Sequence, residues 1–504
     1  MIELKQINFS YKVSRAEREG GLGRSGQEKG GLQDVSLTIQ DGECILLCGR
    51  SGCGKTTITR LVNGLIPRFY AGDLSGKVLI NGQDIADLPM YEIAEHIGSV
   101  FQNPRTQFFN VDSDSEIAFG LENEACPPEE MKRRIDLTVK DLDIGHLRGR
   151  SIHELSGGEK QKIAFASVYT MNPDIYLLDE PSSNLDMDAI RDLKQHLALV
   201  KKQGKTILIA EHRLYYLMDI ADRIVYMERG RIAGIFTPEQ FREFSEAKRE
   251  EMGLRAASLN TVHPKVVSQL PSDSLLELKS VSLRYQKRSV LDGINLKVGA
   301  GAVIGIIGHN GAGKTTLSRA LCGLHKKSEG QFIWNGQPQS YKDRLKRSYM
   351  VMQDVNYELF AESVRAECAF GIRGATLGLV DSTMEKLGLT PYQDEHPNTL
   401  SGGQKQRVAV AVSMICGKEL LVFDEPTSGL DFDSMAQVAE LIRELSAAGK
   451  IIFIVTHDYE FICRTCSRVL HVDHGEVCDD FPVSGVTENR IMKLFSMQQF
   501  AKGD

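Results

Sequence analysis

The chain has 504 residues, of which 25% are charged and 42% hydrophobic, and its formal net charge is −7. That fits a globular protein of two to four domains, at roughly 150 residues each. It excludes a largely disordered chain, a fibrous repeat, a disulfide mini-scaffold and a basic nucleic-acid footprint, so no nucleic acid is expected as a partner.

In chain order, ELKQINFSY (residues 3–11) alternates apolar and polar residues, as a half-exposed antiparallel strand does. Residues 12–31 are rich in glycine and mixed charge and predict a flexible surface loop. ECILLCG then runs as a buried strand into GRSGCGKT, a match to the phosphate-loop pattern GxxxxGK[ST]. LSGGEKQ follows at 155–161, the apolar strand YLLDE ends in two carboxylates, and TILIAEH ends in His212. Thr237-Pro238-Glu239-Gln240 predicts a capped helix start. Beyond it, residues 246–274 are charged and then loosely polar, and predict a linker.

The second half repeats the first. ELKSVSLRY (277–285) matches the opening strand, and AVIGIIG feeds GHNGAGKT, with Lys314 placed 259 residues after Lys55. LSGGQKQ, LVFDE and FIVTH follow, each 245 residues after its counterpart. This predicts two similar units, 1–245 and 275–504, of α/β class. The segment DYEFICRTCSRVL (458–470) predicts a helix that packs Cys463 and Cys466 into the core despite their CxxC spacing. The ten cysteines are expected as reduced thiols. No apolar run reaches the roughly 18 residues that a membrane span needs. The start MIELKQINFS carries no charged-then-apolar leader.

These motifs specify chemistry. Backbone N–H groups of a glycine-rich loop, with a helix N-terminus behind, cradle phosphate oxygens. The candidate cradles are Gly49, Ser51, Gly52 and Gly54 with Thr57, and Gly308, Asn310, Gly311 and Gly313 with Thr316. Lys55 and Lys314 would reach the β- and γ-phosphates of ATP, and Thr56 and Thr315 would ligate Mg²⁺. Asp179 and Asp424 suit the Mg²⁺ shell, and Glu180 and Glu425 suit activation of the attacking water. Because side chains alternate on a strand, each carboxylate pair is expected to leave its strand end in different directions. His212 and His457 are expected to contact the γ-phosphate or the water. Cys53, where the second loop has Ala312, predicts selective blocking of the first loop by a thiol reagent, with ATP protecting.

The ordered set resembles the ATP-binding-cassette ATPases, with two complete cassettes in one chain. The resemblance implies P-loop NTPase domains, each with a mainly parallel sheet core, an antiparallel β subdomain and a helical subdomain. It implies that LSGG is a signature completing the opposite cassette's site, through Ser156, Gly157 and Gly158, and through Ser401, Gly402 and Gly403. It implies that Tyr11 and Tyr285 stack on adenine. It also implies that Gln102 and Gln353 sense Mg²⁺ and nucleotide beside a membrane partner, and that helical segments near 103–155 and 354–400 transmit motion.

VFQNPRTQFF (100–109), VMQDVNYELF (351–360) and AEHRLYYL (210–217) are similar to energy-coupling-factor importers. That implies an ATP-hydrolysing subunit, peripheral on the cytoplasmic face of the cell membrane. Its partners would be integral membrane transporter subunits and a substrate-binding membrane component. The cargo would be a vitamin, a vitamin precursor or a transition-metal ion. The rivals are a tandem ATPase acting on ribosomes or DNA, and a fused sugar-importer ATPase.

Overall fold

The structure is a computed structural model that describes residues 1–12, 31–183, 185–265, 274–285, 288–372 and 374–496. The body of the predicted loop at 12–31 lies outside the described residues, as does 266–273 of the predicted linker. The chain divides into two units, Met1–Leu185 with Ala189–Ser258, and Asp186–Asp188 with Leu259–Asp504.

In the first unit the alternating segment forms strand Ile2–Tyr11, paired antiparallel with Leu32–Ile39 and Gly72–Ile80. Its inward residues Ile2, Leu4, Ile7 and Phe9 are buried. A six-stranded sheet carries Arg231–Phe236, Arg223–Glu228, Cys44–Gly49, Thr206–Ala210, Ile175–Asp179 and Ile97–Val100, in that order. All neighbours pair parallel except the edge strand Arg231–Phe236. Parallel strands covered on both faces read as unbroken apolar runs. Accordingly Ile45, Leu46 and Leu47 are fully buried, each stabilising the fold by about 1.5–3 kcal/mol.

The second unit repeats this design. Ser274–Tyr285 lies between Arg288–Gly299 and Glu329–Trp334 in an antiparallel sheet. Val303–Ile307 is central in a sheet with Ile451–Val455, Leu420–Asp424 and Ser348–Val351 on one side, and Arg468–Asp473 and Glu476–Pro482 on the other. Between sheet and signature, helices Ser113–Asn123 and Pro128–Asp141 in one unit, and Val364–Ala369 and Leu377–Lys386 in the other, form the expected helical part.

Three expectations need correction. Residues from 246 do not all link: Ser245 caps helix Glu246–Glu251, and Met252, Leu254, Ala256 and Ala257 are buried in the first unit. A serine cap and small apolar residues suffice to fold a stretch whose charge suggests a linker. The helix predicted over 458–470 ends at Thr465, and Arg468–Asp473 is a strand. Both cysteines of the CxxC pair are nevertheless fully buried, and all ten cysteines are thiols. Finally, Cys53 is buried within the first unit's apolar core, so a thiol reagent would need the loop to open first; Ala312 is likewise buried. The Thr237 cap is as expected, with its hydroxyl and Gln240 closing a reciprocal capping box. Ile491 and Phe495, from helix Glu488–Ser496, are buried in the second unit's core.

Candidate nucleotide sites

Each phosphate loop joins a buried strand to a helix, Lys55–Val62 in one unit and Lys314–Leu321 in the other. Gly49 and Gly308 open the loops at φ 142° and 150°. A Cβ would stand 2.3 Å from Met227 O at Gly49 and 2.0 Å from Val472 O at Gly308. Only glycine fits there, and it lets the loop backbone close under a ligand. Gly49→Ala or Gly308→Ala is therefore expected to lower stability, by about 1–3 kcal/mol for the backbone strain alone. It should also abolish the ATP-induced rise in melting temperature for that cassette. An unchanged rise in both variants would refute the reading.

The lysines curl back over their loops. Lys55 Nζ donates to Gly49 O at 3.0 Å and Arg50 O at 3.2 Å. Lys314 Nζ donates to Gly308 O at 2.7 Å and His309 O at 2.9 Å. Burial holds the Lys314 amine below the usual lysine range. Thr56 Oγ1 donates to Asp179 at 3.1 Å, and Thr315 Oγ1 to Asp424 at the same distance. Burial, then the adjacent Glu180 carboxylate, push Asp179 up to about 6. Burial likewise raises Asp424. A hydroxyl oxygen beside a carboxylate belongs to the all-oxygen donor set that a hard divalent cation takes, so these residues fit Mg²⁺.

Glu180 and Glu425 do not continue their strands. Both adopt left-handed backbone, φ 45° and 52°, which is uncommon for a non-glycine residue. Their N–H groups donate to Ala210 O and Val455 O, each at 2.8 Å. This turn, rather than strand alternation, separates each glutamate from the aspartate before it. Gln102 Nε2 donates to Glu180 Oε2 at 2.7 Å, and His212 Nε2 lies 3.2 Å from Oε1. In the second unit His457 Nε2 lies 3.6 Å from Glu425 Oε1. Gln353 is exposed and has no such bond among the described residues. Tyr11 OH lies 3.1 Å from Thr57 Oγ1, which places its ring beside the loop. The Tyr285 ring lies outside the described residues.

Ser156 and Ser401 cap helices Gly157–Met171 and Gly402–Ile415, with Gly157, Gly158, Gly402 and Gly403 in the first turns. Glu159 and Gln404 close the two capping boxes alike. Glu and Gln at this position are therefore structurally equivalent. The added charge of Glu159 is met by Arg150 at 2.8 Å.

Residues 32–183 and 291–428 match the family model described as ABC transporter. A relative from Treponema denticola, named as an ABC transporter ATP-binding protein, is 48% identical over 95% of this chain and 96% of its own. The chain belongs to the ABC transporter family. Another family member so named, from Methanosarcina mazei, is 32% identical over 96% of this chain and 90% of its own. A solved model of ribosome-bound archaeal Pelota and ABCE1 superposes with a TM-score of 0.69, covering 94% of this chain and 80% of that one at 20% identity. That likeness is one of fold. As an ABC ATPase the chain uses ATP with Mg²⁺. No helix among the described residues is long and apolar enough to cross a membrane.

Two paired features of these cassettes escaped motif reasoning. The buried Glu116 accepts from Phe109 N at 3.0 Å and Asn110 N at 2.8 Å. Its counterpart Glu367, also buried, accepts from Phe360 N and Ala361 N, both at 2.7 Å. Both glutamates lie 14 residues beyond their glutamine, a signal the sequence does hold. The second feature is Gln107 and its counterpart Glu358. Gln107 Oε1 accepts from Phe101 N at 3.2 Å, and Glu358 Oε1 from Met352 N at 3.0 Å.

Glu358 Oε2 is buried with no partner among the described residues, and burial raises its carboxyl to about 7. The fold therefore favours the protonated form. Its contribution is complete below the ordinary glutamate range and is lost as pH rises through about 7. The melting temperature of the second cassette is expected to fall between about pH 4.5 and pH 7, and Glu358→Gln, which copies the first cassette, should flatten that slope. An unaltered slope in the variant would assign the pH dependence elsewhere.

Proposed function

We propose that this ABC ATPase is the motor subunit of a membrane importer of the energy-coupling-factor type, serving a vitamin, a vitamin precursor or a transition-metal ion. The observation that carries the reading is a matched pair of exposed aromatics. Phe109 is 75% exposed and Phe360 70% exposed. Each stands seven residues beyond Gln102 or Gln353, on backbone fixed by a buried glutamate. Val111 and Tyr357 are exposed nearby. An apolar patch of this kind, duplicated and held rigid, supports docking of an apolar partner segment beside each glutamine. The membrane-spanning elements would belong to that partner, which would sit with the chain on the cytoplasmic face.

The chemistry follows from positioning and charge. Each lysine would exchange its loop carbonyls for phosphate oxygens, and the loop N–H groups would bind the rest. Thr56 with Asp179, and Thr315 with Asp424, would hold Mg²⁺, which when bound offsets phosphate charge. Glu180 and Glu425 would take the proton of the attacking water, with His212 and His457 orienting it. Ser156 and Ser401 would add hydroxyl and helix-start donors toward a γ-phosphate. Tagged full-length chain, purified from detergent-solubilised membranes of its own cells, is expected to bring down integral membrane proteins. Recovery with ribosomal particles and no integral membrane protein would overturn the proposal.

A further inference from the structure

Beside the second phosphate loop lies a side-chain cluster outside the set assigned above to ATP binding and hydrolysis. His309, the loop's second residue, and Asp473 with His474, on the hairpin turn after strand Arg468–Asp473, bring three potential ligand atoms within 4.8 Å of one another. His309 Nε2 contacts Asp473 Oδ1, and His474 Nε2 lies 3.9 Å from Asp473 Oδ2. The two imidazole rings are 5.5 Å apart, centre to centre.

The orientation of His309 is informative. Its Nδ1 lies 2.9 Å from Asn310 O. A carbonyl can only accept, so Nδ1 carries the hydrogen. Nε2 then faces a carboxylate oxygen, and that contact is favourable only with a positive centre between them: a second proton, or a metal ion. An imidazole that donates one N–H to a backbone carbonyl and turns its other nitrogen outward is the arrangement that metal-ligating histidines adopt.

The frame is rigid. Gly475 N, on the same turn, donates to Ala312 O of the loop at 3.0 Å. His474 and Gly475 both take positive φ, 46° and 83°, as a two-residue hairpin turn requires. The first cassette keeps this frame with different chemistry. There Arg50, Glu228 and Arg229 occupy the equivalent places, with Arg50 Nη1 3.8 Å from Glu228 Oε1 and Arg229 at φ 48°. The fold thus places a nitrogen-bearing side chain on either side of a carboxylate residue in both units. Only in the second are both of them imidazoles, which can bind metal through a ring nitrogen, whereas guanidinium cannot.

We propose that His309, Asp473 and His474 form a site for a divalent transition-metal ion of the zinc class beside the second phosphate loop, with no counterpart in the first. Two imidazole nitrogens and one carboxylate oxygen are a three-ligand set for zinc with one position left to water. They favour zinc over Mg²⁺ or Ca²⁺, which take all-oxygen shells. His474, 82% exposed at its side chain, can swing in to close the set. Bound metal would tie the loop residue whose carbonyl holds Lys314 to the hairpin.

The test is equilibrium dialysis of the full-length, nucleotide-free chain against Zn²⁺, with Co²⁺ as a spectroscopic probe. The unaltered chain is expected to hold one more zinc per chain than the double variant His309→Arg/His474→Arg, which copies the first cassette and so should fold. Asp473→Asn, a milder change, should weaken that zinc by about tenfold or more. Equal zinc content in chain and double variant would overturn the proposal. So would a thiolate-to-cobalt charge-transfer band, which would place the ion on cysteines such as the exposed Cys478.

Discussion

Replacing Glu180 and Glu425 together with glutamine is expected to lower ATP turnover by about 10²–10⁴-fold, the usual worth of a positioned general base, while ATP binding persists. The geometry behind this is specific. Each glutamate sits one residue past an aspartate that faces the loop threonine, on a left-handed turn held by a 2.8 Å backbone bond to the neighbouring strand. Glutamine keeps the shape and one accepting oxygen, and removes the basicity. The single variants carry the sharper information. Both cassettes have the lysine, threonine, aspartate, glutamate and histidine in the same arrangement, so each single variant should keep a substantial share of turnover. Glu180 is held by Gln102 at 2.7 Å and stands 3.2 Å from His212, and Glu425 stands 3.6 Å from His457. Steady-state hydrolysis of the two variants decides. If Glu180→Gln abolishes turnover and Glu425→Gln leaves it intact, or the reverse, equal competence is wrong.

The loop lysines, the Thr–Asp pairs and the glutamate–histidine pairs were legible because their spacing within each half is fixed by strand, loop and helix lengths, and because the chain states them twice. The same holds for the buried strands, whose apolar runs leave no other reading. What escaped has a physical reason in each case. Glu180 and Glu425 follow strands without a break in polarity, so nothing in the residue types announces a left-handed turn. Glu116 and Glu367 look like ordinary first-turn helix acids, and only their burial beneath a backbone bend reveals their role. Residues 246–258 fold through a serine cap and small side chains, which composition alone does not separate from a linker. His309 and Asp473 stand 164 residues apart and meet only because the hairpin turn closes over the loop.

The second large effect concerns the exposed aromatics. Phe109→Asp with Phe360→Asp is expected to abolish co-purification of membrane proteins while the isolated chain still hydrolyses ATP. Neither ring contributes a group to the nucleotide sites; Phe109 stacks on Phe119 at 5.0 Å and otherwise faces outward. A charge at the centre of an apolar contact would have to be desolvated without a partner, a cost that few interfaces offset. Glu116→Ala probes the same surface from beneath. It strands the N–H groups of Phe109 and Asn110 together with the Asn110 amide, all three now bonded to one carboxylate. Hydrogen bonds to a charged group are worth about 1.5–3 kcal/mol each, so this variant should melt earlier as well as lose its partner. The aspartate pair should lose the partner without a comparable fall in melting temperature. That split separates a contact surface from its support. If the aspartate pair retains its membrane proteins, the aromatics are not the docking points and the partner must engage another face of the cassettes.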